Sequence, residues 1–258
     1  MAVNRSREAW KTYGNVFDNF TIRNLEKLSS QGYFEELKGA IALGKEANVF
    51  SATTKEGSLV AVKIYRLESC NFNKMYEYIS QDQRYIHIKG QKRRIIFAWT
   101  QREYRNLLKA REHIQVPSPH VFKDNIIVMD FVGGDEPAPK LKDVHLEDPK
   151  RVFEEIIEEI ERLFLDANLV HGDLSEYNIL YHNDYPIFID LSQSTAADSP
   201  SAIKLLERDL SVICNFFKKR GLKEDPEKIF NSFLEKRRLR QEEHLRNLKR
   251  AEKEKFNL

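Results

Sequence analysis

Residues 169–180 read Leu169-Val-His-Gly-Asp-Leu-Ser-Glu-Tyr-Asn-Ile-Leu180, an apolar segment that runs into a polar loop and then becomes apolar again. The pattern predicts a short strand, a loop that carries Asp173, and a second strand that begins at Asn178. A third apolar segment, 187–189, leads directly into Asp190. Each of these polar side chains therefore lies at the mouth of a hydrophobic strand, where several strand ends can meet around one site.

Asp173, Asn178 and Asp190 form a set of oxygen groups suited to phosphoryl transfer from a nucleotide. A carboxylate has to orient the accepting hydroxyl, and one or two Mg²⁺ (or Mn²⁺) ions have to bridge phosphate oxygens. Hard cations prefer oxygen ligands, which Asn and Asp supply. Each Asp taken alone would more simply cap the end of a strand. The order His-Gly-Asp, then Asn five positions later, then Ile-Asp favours the catalytic interpretation.

A lysine and a glutamate upstream fit the same chemistry. Lys63 follows the strand-like run Val60-Ala-Val62, which is where kinases place the lysine that grips the α- and β-phosphates. Glu103 lies in a predicted helix over 95–113 and would pair with Lys63. Taken separately, Lys63 would be a solvated edge-strand lysine and Glu103 an exposed helix acid. Their order along the chain favours the paired arrangement.

Two further segments are predicted to line a nucleotide pocket. Gly44-Lys-Glu-Ala-Asn48 is a poor glycine-rich loop, since it has one Gly where three are usual, but Gly44 lets the backbone approach phosphate and Lys45 can meet its charge. The strand signal that includes Met129 runs to Gly133-Gly134, and Met129 would wall an apolar adenine pocket. Backbone groups of Asp130 and Val132 would hydrogen-bond the adenine. The alternative is an ordinary core strand followed by a turn.

The order of the elements predicts one domain with two lobes. Residues 1–39 form a helical extension, 40–132 a strand-rich N-lobe with a flexible insert at about 68–94, and 133–258 a helix-rich C-lobe that ends in a basic helix. Together with the kinase-type motifs above, this order gives the expected fold class: α+β, a two-lobed protein-kinase-like fold with an antiparallel sheet in the N-lobe, a mainly helical C-lobe and ATP in the cleft.

Local signals refine this plan. Asp148 and Pro149 suit the N-cap and first position of a long helix, and Asp225-Pro226 suits the start of another. Residues 72–94 are predicted to be irregular. Gly133-Gly134 is predicted to be the hinge between the lobes.

Composition excludes several classes of protein. The chain has 258 residues, 41% of them hydrophobic, and a formal net charge of +2. The apolar fraction is too high for a wholly disordered chain, and no run approaches the roughly 18 apolar residues of a membrane span. The N-terminus has no secretory signal, and two cysteines, Cys70 and Cys214, suit reduced thiols. We therefore expect a cytoplasmic protein with no membrane association.

Together these residues resemble the RIO family of atypical serine/threonine protein kinases, in particular its first subfamily, which lacks an N-terminal winged-helix domain, and a short archaeal-type member of it. The resemblance covers about residues 40–220. It rests on the segments Gly44–Val49, Val116–Pro119, Pro137–Lys142, His171–Asn178 and Ile189–Gln193.

The resemblance implies a role for each matching position. Asp173 is the catalytic-loop aspartate, Asn178 and Asp190 are the metal ligands, and Lys63 with its partner Glu103 grips phosphate. The cofactors would be ATP and Mg²⁺ (or Mn²⁺). The other residues expected to line the ATP site are Gly44, Lys45, Glu46, Val49, Ala61, Met129, Asp130, Val132 and Ile189.

The chain also departs from ordinary protein kinases. Asp190-Leu191-Ser192 stands where they carry Asp-Phe-Gly, and no Ala-Pro-Glu follows, so an activation loop and a peptide-binding platform are not expected. Ala42-Leu43 stand where the family usually places Ser or Thr, which removes a hydroxyl contact to phosphate. The family resemblance implies an acyl-phosphate on Asp190, and hence ATP hydrolysis alongside phosphorylation of a protein substrate, itself included.

The same resemblance implies a role in maturation of the small ribosomal subunit, with its precursor or rRNA as partner. The basic stretches 84–94 and 235–255 would favour phosphate contacts, although the acids mixed into the second stretch are typical of a solvated helix face. Two rival functions stay open. One is a small-molecule phosphotransferase of the aminoglycoside or choline type, which also carries His-Gly-Asp, Asn and a later Asp; the other is a non-catalytic pseudokinase or RNA-binding scaffold.

Overall fold

The computed structural model describes residues 17–256 apart from 69, 81–84, 86–87 and 89–90. The helical prediction for residues before 17 lies outside this range, and so do the basic residues Arg84, His87 and Lys89 of the insert.

An antiparallel sheet of five strands, ordered β1-β2-β3-β5-β4, forms the N-lobe. Because β3 is the middle strand of the five, its β-branched residues are buried along almost the whole length of the strand. Lys63 pairs in register with Val49 on one side and Ile127 on the other. The first strand begins earlier than the predicted Ala40. The strands are β1 (Glu36–Leu43), β2 (Ala47–Thr53), β3 (Leu59–Tyr65), β4 (Pro119–Lys123) and β5 (Ile126–Asp130).

Helix α1 (Asn19–Ser30) covers one face of this sheet. It begins at the N-cap Asp18, whose Oδ1 accepts the backbone N–H groups of Phe20 (2.9 Å) and Thr21 (3.1 Å). Leu25 and Leu28 are fully buried in a hydrophobic cluster that includes side chains of β2, β3 and β5. The helix is therefore part of the N-lobe core.

Two helices lie between β3 and β4, namely α2 (Phe72–Ser80) and α3 (Lys92–Ala110). The prediction that 72–94 is irregular is wrong for α2 and for 92–94, which form the start of α3. Met75 and Ile79 stand four residues apart, so they share one helix face and are both buried in the core. Nine residues with two apolar anchors gave too short a pattern for sequence reasoning to separate from a loop.

The C-lobe is built around α4 (Pro149–Leu165) and α5 (Ala202–Lys218). The predicted cap is confirmed, since Asp148 Oδ1 accepts the N–H groups of Lys150 (3.1 Å) and Arg151 (3.0 Å), and Pro149 opens the helix. Four short strands form two antiparallel pairs, β6 with β9 and β7 with β8. These strands are β6 (Leu169–Val170), β7 (Ile179–His182), β8 (Tyr185–Phe188) and β9 (Thr195–Ala196).

The last helix, α6 (Pro226–Phe256), has 31 residues and is about 46 Å long at 1.5 Å per residue. Its N-terminal half is docked: Phe233 is buried, Lys236 pairs with Glu161 (2.7 Å) and Arg240 pairs with Asp166 (2.5 Å). All residues from 238 to 250 are exposed. Among the described helices none is long and apolar enough to cross a membrane.

These elements confirm the expected fold class. An antiparallel-sheet N-lobe and a mainly helical C-lobe face each other across a cleft, and the chain passes between them at Gly133. Gly133 has φ +150° and forms a bridge with Pro137. A Cβ there would stand 2.2 Å from the Glu136 carbonyl oxygen, so this turn needs glycine.

Candidate active site

A cleft of about 650 Å³ lies between the two lobes. Residues from β1, β2, β3 and β5, from α3 and from the loops after β6 and β8 line it. The structure places every site residue predicted from the sequence on this lining: Gly44, Lys45, Glu46, Val49, Ala61, Lys63, Glu103, Met129, Asp130, Val132, Asp173, Asn178, Ile189 and Asp190.

Lys63 joins the two lobes at the floor of the cleft. Its Nζ lies 2.6 Å from Glu103 Oε1 on α3 and 3.0 Å from Asp190 Oδ1 after β8. The first contact is the ion pair that the sequence predicted, and both of its side chains are almost fully buried. The second contact was not predicted. It ties the lysine of the N-lobe to the proposed metal ligand of the C-lobe.

These contacts fix the charge state of the pair. Burial alone would lower the pKa of Lys63, but the carboxylates of Asp190 and Glu103 raise it above its ordinary value. Burial alone would raise the pKa of Asp190, but Lys63 and the Ser192 hydroxyl, 2.7 Å from Oδ1, lower it to about 2. The lysine is therefore protonated and Asp190 ionised at neutral pH.

Tyr65 holds the other oxygen of Glu103 and was missed by sequence reasoning. Its hydroxyl donates to Glu103 Oε2 at 2.5 Å, in a fully buried setting. The amide of Asn125 donates to the Tyr65 carbonyl oxygen (2.8 Å) and to Thr21 Oγ1 on α1 (3.0 Å). Hydrogen bonds of Asn125 and Tyr65 thus connect α1 to the Lys63–Glu103 pair, with the Tyr65 side chain as the covalent link between its backbone carbonyl and its hydroxyl.

His171 is buried and neutral. Its Nε2 lies 3.1 Å from the Ile189 carbonyl oxygen, and its Nδ1 lies 3.3 Å from the Asp173 backbone nitrogen. The second contact requires Nδ1 to accept, so Nε2 carries the proton and donates. Burial lowers the pKa of His171 to about 4, which agrees with this neutral tautomer.

A buried carboxylate on α5 supports the same loop from beneath. Asp209 accepts the N–H groups of Gly172 (2.7 Å) and Leu174 (3.1 Å), and burial raises its pKa to about 7. Sequence reasoning missed this residue, although a signal was present. Asp209 lies among Leu206, Leu210 and other apolar positions of the buried face of α5, where an isolated acid is unusual.

Asp173 lies between groups that hold its side chain and its backbone. Gln193 Nε2 donates to Asp173 Oδ2 at 2.9 Å, and Arg208 Nη2 lies 3.6 Å from Asp173 Oδ1. Asn178 Nδ2 donates to the Asp173 carbonyl oxygen at 2.8 Å. Burial raises the pKa of Asp173. Neither Gln193 nor Arg208 was assigned a role from the sequence.

The backbone at Asp190 is left-handed, with φ 62° and ψ 62°. This conformation costs an ordinary side chain about 1 kcal/mol, although Asp and Asn tolerate it better than most. A short 3₁₀ turn, Leu191–Gln193, follows at once, so the chain reverses directly after the metal-ligand position.

The loop between β1 and β2 is a tight turn. The N–H of Gly44 donates to the Ala47 carbonyl oxygen at 3.0 Å, and a Cβ on Gly44 would lie 2.7 Å from that oxygen. The turn therefore needs glycine at position 44, because any side chain there would meet the backbone of the next strand.

Two backbone groups at the end of β5 and in the segment after it hydrogen-bond within the protein. The Asp130 N–H donates to the Ser118 carbonyl oxygen (2.9 Å), and the Val132 carbonyl accepts from Ala138 N–H (2.9 Å). The Asp130 N–H and the Val132 carbonyl therefore already have hydrogen-bond partners within the protein. We expect adenine to bind the other two backbone groups, the Asp130 carbonyl and the Val132 N–H.

The donor chemistry of Asn178 and Asp190 fits a hard cation. Because Asn178 uses its amide nitrogen to bind the Asp173 carbonyl, its amide oxygen stays as the group that can bind a metal. Within the described ranges no three His, Cys, Asp or Glu side chains cluster as a metal site. The arrangement suits Mg²⁺, which is commonly held by one or two protein oxygens together with substrate phosphates.

Comparison with known proteins identifies the family. The RIO domain family model matches residues 48–229. The RIO-type serine/threonine-protein kinase Rio1 of Methanocaldococcus jannaschii is 44% identical over 215 residues, which cover 83% of this chain and 73% of that protein. The human serine/threonine-protein kinase RIO1 is 37% identical over 212 residues, which cover 80% of this chain and 37% of the human protein.

Solved structures agree on the fold. A crystal structure of the Rio2 kinase from Chaetomium thermophilum matches with a TM-score of 0.61 and 26% identity, covering 76% of this chain and 60% of that one. A second structure from the same organism, the Rio2 kinase–ADP/Mg²⁺–phosphoaspartate complex, matches with a TM-score of 0.62 and 24% identity over 80% of this chain and 64% of that one. The chain thus spans less than two thirds of either structure. The cleft, its motifs and these matches together show that the chain belongs to the RIO family of serine/threonine protein kinases.

Proposed function

We propose that this chain transfers the γ-phosphoryl group of ATP, both to a protein hydroxyl, on itself included, and to its own Asp190. One observation carries the proposal: a single buried lysine, Lys63, holds Glu103 of the N-lobe and Asp190 of the C-lobe at 2.6 and 3.0 Å in the cleft that also contains Asp173 and Asn178. This arrangement supplies the charges that positioning and stabilisation of a transferred phosphoryl group require.

Each residue has a proposed role. Lys63 binds the α- and β-phosphates, and Asp173 orients the acceptor hydroxyl and takes its proton. Asn178 and Asp190 would hold Mg²⁺, which neutralises the charge that develops on the phosphates. The Val132 N–H and the Asp130 carbonyl would hydrogen-bond adenine.

Asp190 is also the proposed nucleophile of an ATPase cycle. A carboxylate oxygen of Asp190 attacks the γ-phosphorus, the bond to the β–γ bridging oxygen breaks, and ADP leaves. Water then attacks the acyl-phosphate, releases inorganic phosphate and a proton, and restores the carboxylate. The low pKa of Asp190 supports this role, because the side chain is ionised at neutral pH. The phosphoaspartate in the Chaetomium Rio2 complex supports the chemistry within the family.

The test is a pair of matched variants. Wild type should hydrolyse Mg-ATP and, after acid quench, carry a phosphate that hydroxylamine removes. Asp190→Asn should abolish both signals while the fold survives, whereas Asp198→Asn, an exposed aspartate outside the cleft lining, should leave them intact. Unchanged turnover in Asp190→Asn would refute the role of Asp190. Mass mapping that finds only phosphoserine would refute the acyl-phosphate.

The same assay separates the rival functions. Strong turnover with an aminoglycoside or choline as acceptor, and none with protein, would favour a small-molecule phosphotransferase. No ATP turnover in wild type would favour a pseudokinase scaffold. The intact set Lys63, Asp173, Asn178 and Asp190 in one cleft argues against lost catalysis.

We further propose that the chain acts in the cytoplasm on precursors of the small ribosomal subunit through the distal part of α6. Support comes from the exposed residues 241–250, which include Arg246 and Lys249. The nearer basic residues Lys236 and Arg240 are paired with Glu161 and Asp166 and contribute less. Cosedimentation with precursor particles, with and without ATP, tests this. Arg246→Glu with Lys249→Glu should weaken it, and Glu242→Gln with Glu243→Gln is the matched control.

A further inference from the structure

We propose that Gln193 is a positioning residue that holds the Asp173 carboxylate in its working orientation. The inference rests on the proposed function and adds to it a residue outside the predicted set. Gln193 Nε2 donates to Asp173 Oδ2 at 2.9 Å across 20 positions of sequence. Because an amide donor faces a carboxylate acceptor, the contact defines both the orientation of the amide and that of the carboxylate.

The burial of the Gln193 side chain indicates that this residue has a role other than stabilising the fold. Gln193 is 8% exposed, and its Oε1 is a buried oxygen with no hydrogen-bond partner in the described part of the chain. A buried acceptor without a partner lowers stability, so an apolar side chain of similar size would fold at least as well. The Gln193 amide does, however, donate a hydrogen bond to Asp173, which an apolar side chain could not do.

The turn that carries Gln193 is itself held firmly. Asn106 Nδ2 on α3 donates to the carbonyl oxygens of Leu191 (3.0 Å) and Ser194 (2.9 Å). The Ser194 hydroxyl donates to the His171 carbonyl oxygen at 3.0 Å. The 3₁₀ turn is thus fixed to α3, the helix that also carries Glu103, and Gln193 passes this fixed geometry on to Asp173.

The other side of the carboxylate is held less tightly. Arg208 Nη2 lies 3.6 Å from Asp173 Oδ1, and the Arg208 side chain is 45% exposed. An exposed charge at this distance tolerates movement of the carboxylate. Without Gln193, Asp173 would therefore be free to turn toward Arg208 and away from an incoming hydroxyl.

The experiment compares three variants in thermal unfolding and in steady-state phosphoryl transfer from Mg-ATP to a protein acceptor, casein; turnover is the rate of this transfer. Gln193→Met keeps the size but removes the donor. Gln193→Glu keeps the shape and turns the donor into an acceptor. Thr195→Val is the matched control, since it keeps the size and removes a partly buried hydrogen bond, to Ser199 Oγ, that neither touches Asp173 nor holds the turn.

We expect Gln193→Met to lower kcat by about tenfold to a hundredfold, the scale of a misplacement of order 1 Å, while KM for Mg-ATP stays within about twofold. Its Tm should stay level or rise, because the unpartnered oxygen is gone. Gln193→Glu should lose at least as much kcat. Thr195→Val should keep most of kcat and change Tm only slightly.

Three results would overturn the inference: an unchanged kcat in Gln193→Met, a rise in KM alone, or a loss of kcat in Gln193→Met that Thr195→Val matches. Asp173→Asn is measured in parallel. If it leaves wild-type turnover intact, the proposed function fails. If it abolishes turnover while Gln193→Met does not lower it, only the role of Gln193 fails.

Discussion

Protonation of His171 should destabilise the fold in a defined pH window. The neutral ring donates from Nε2 to Ile189 O and accepts at Nδ1 from the Asp173 N–H, so a proton on Nδ1 would face another donor in a buried site. The pKa is about 4 in the folded chain and 6.5 for the ordinary side chain. That difference corresponds to about 3 kcal/mol, at 1.36 kcal/mol per pH unit.

The sign follows from proton binding. Between pH 6.5 and 4 the unfolded chain binds more protons at this position than the folded chain, so the free energy of unfolding falls as the pH is lowered. The contribution is complete above pH 6.5 and lost once the pH passes about 4. Asp190, with a folded pKa of about 2, loses its contribution only below this window.

Urea denaturation of wild type and His171→Gln from pH 4 to 7.5 measures the effect, because the difference between the two curves cancels the other titrating groups. Gln retains a donor and an acceptor but does not titrate. The variant should be less stable at pH 7 and should lack about 3 kcal/mol of the acid-side loss. His113→Gln, at an exposed position, controls for removal of one histidine. Parallel curves for wild type and His171→Gln would refute the reasoning.

Three further changes can be measured by urea denaturation at pH 7. Lys63→Met leaves Glu103 buried without its cation and should cost about 3–5 kcal/mol; a cost below 1 kcal/mol would show that the pair is not needed for folding. Tyr65→Phe removes the hydroxyl that donates to Glu103 and should cost about 1.5–3 kcal/mol, whereas a neutral result would contradict the buried contact. Asp148→Ala removes the N-cap of α4 and should cost about 1 kcal/mol, while Arg240→Gln, at an exposed ion pair, should cost less than that; the reverse order would exclude the capping argument.

Many residues of the candidate site could be predicted because they lie close together in the sequence at recognisable spacings. Asp173 and Asn178 lie in one loop and Asp190 ends the next strand pair, so a short segment carries all three. Lys63 could be predicted because it lies in the buried, β-branched strand β3. The two-lobed fold followed from strand-rich and helix-rich halves joined at Gly133.

The supporting residues could not be predicted, because their contacts are tertiary. Gln193 reaches Asp173 only after β7 and β8 have paired and returned the chain, and Tyr65 meets Glu103 across 38 positions. Nothing in the local pattern of either residue marks its partner. Helix α2 was missed for a different reason, because its stability comes from burying Met75 and Ile79 in the core.

The left-handed backbone at Asp190 bears on how this family can lose its chemistry over evolutionary time. Asn and Gly accept that conformation at least as readily as Asp, so the backbone itself sets no barrier to replacing the carboxylate. The backbone therefore does not select for an acid at this position; the ion pair with Lys63 and the proposed phosphate chemistry do so. In a lineage released from the proposed phosphate chemistry, Asn at position 190 should keep the conformation of this turn and the architecture around it.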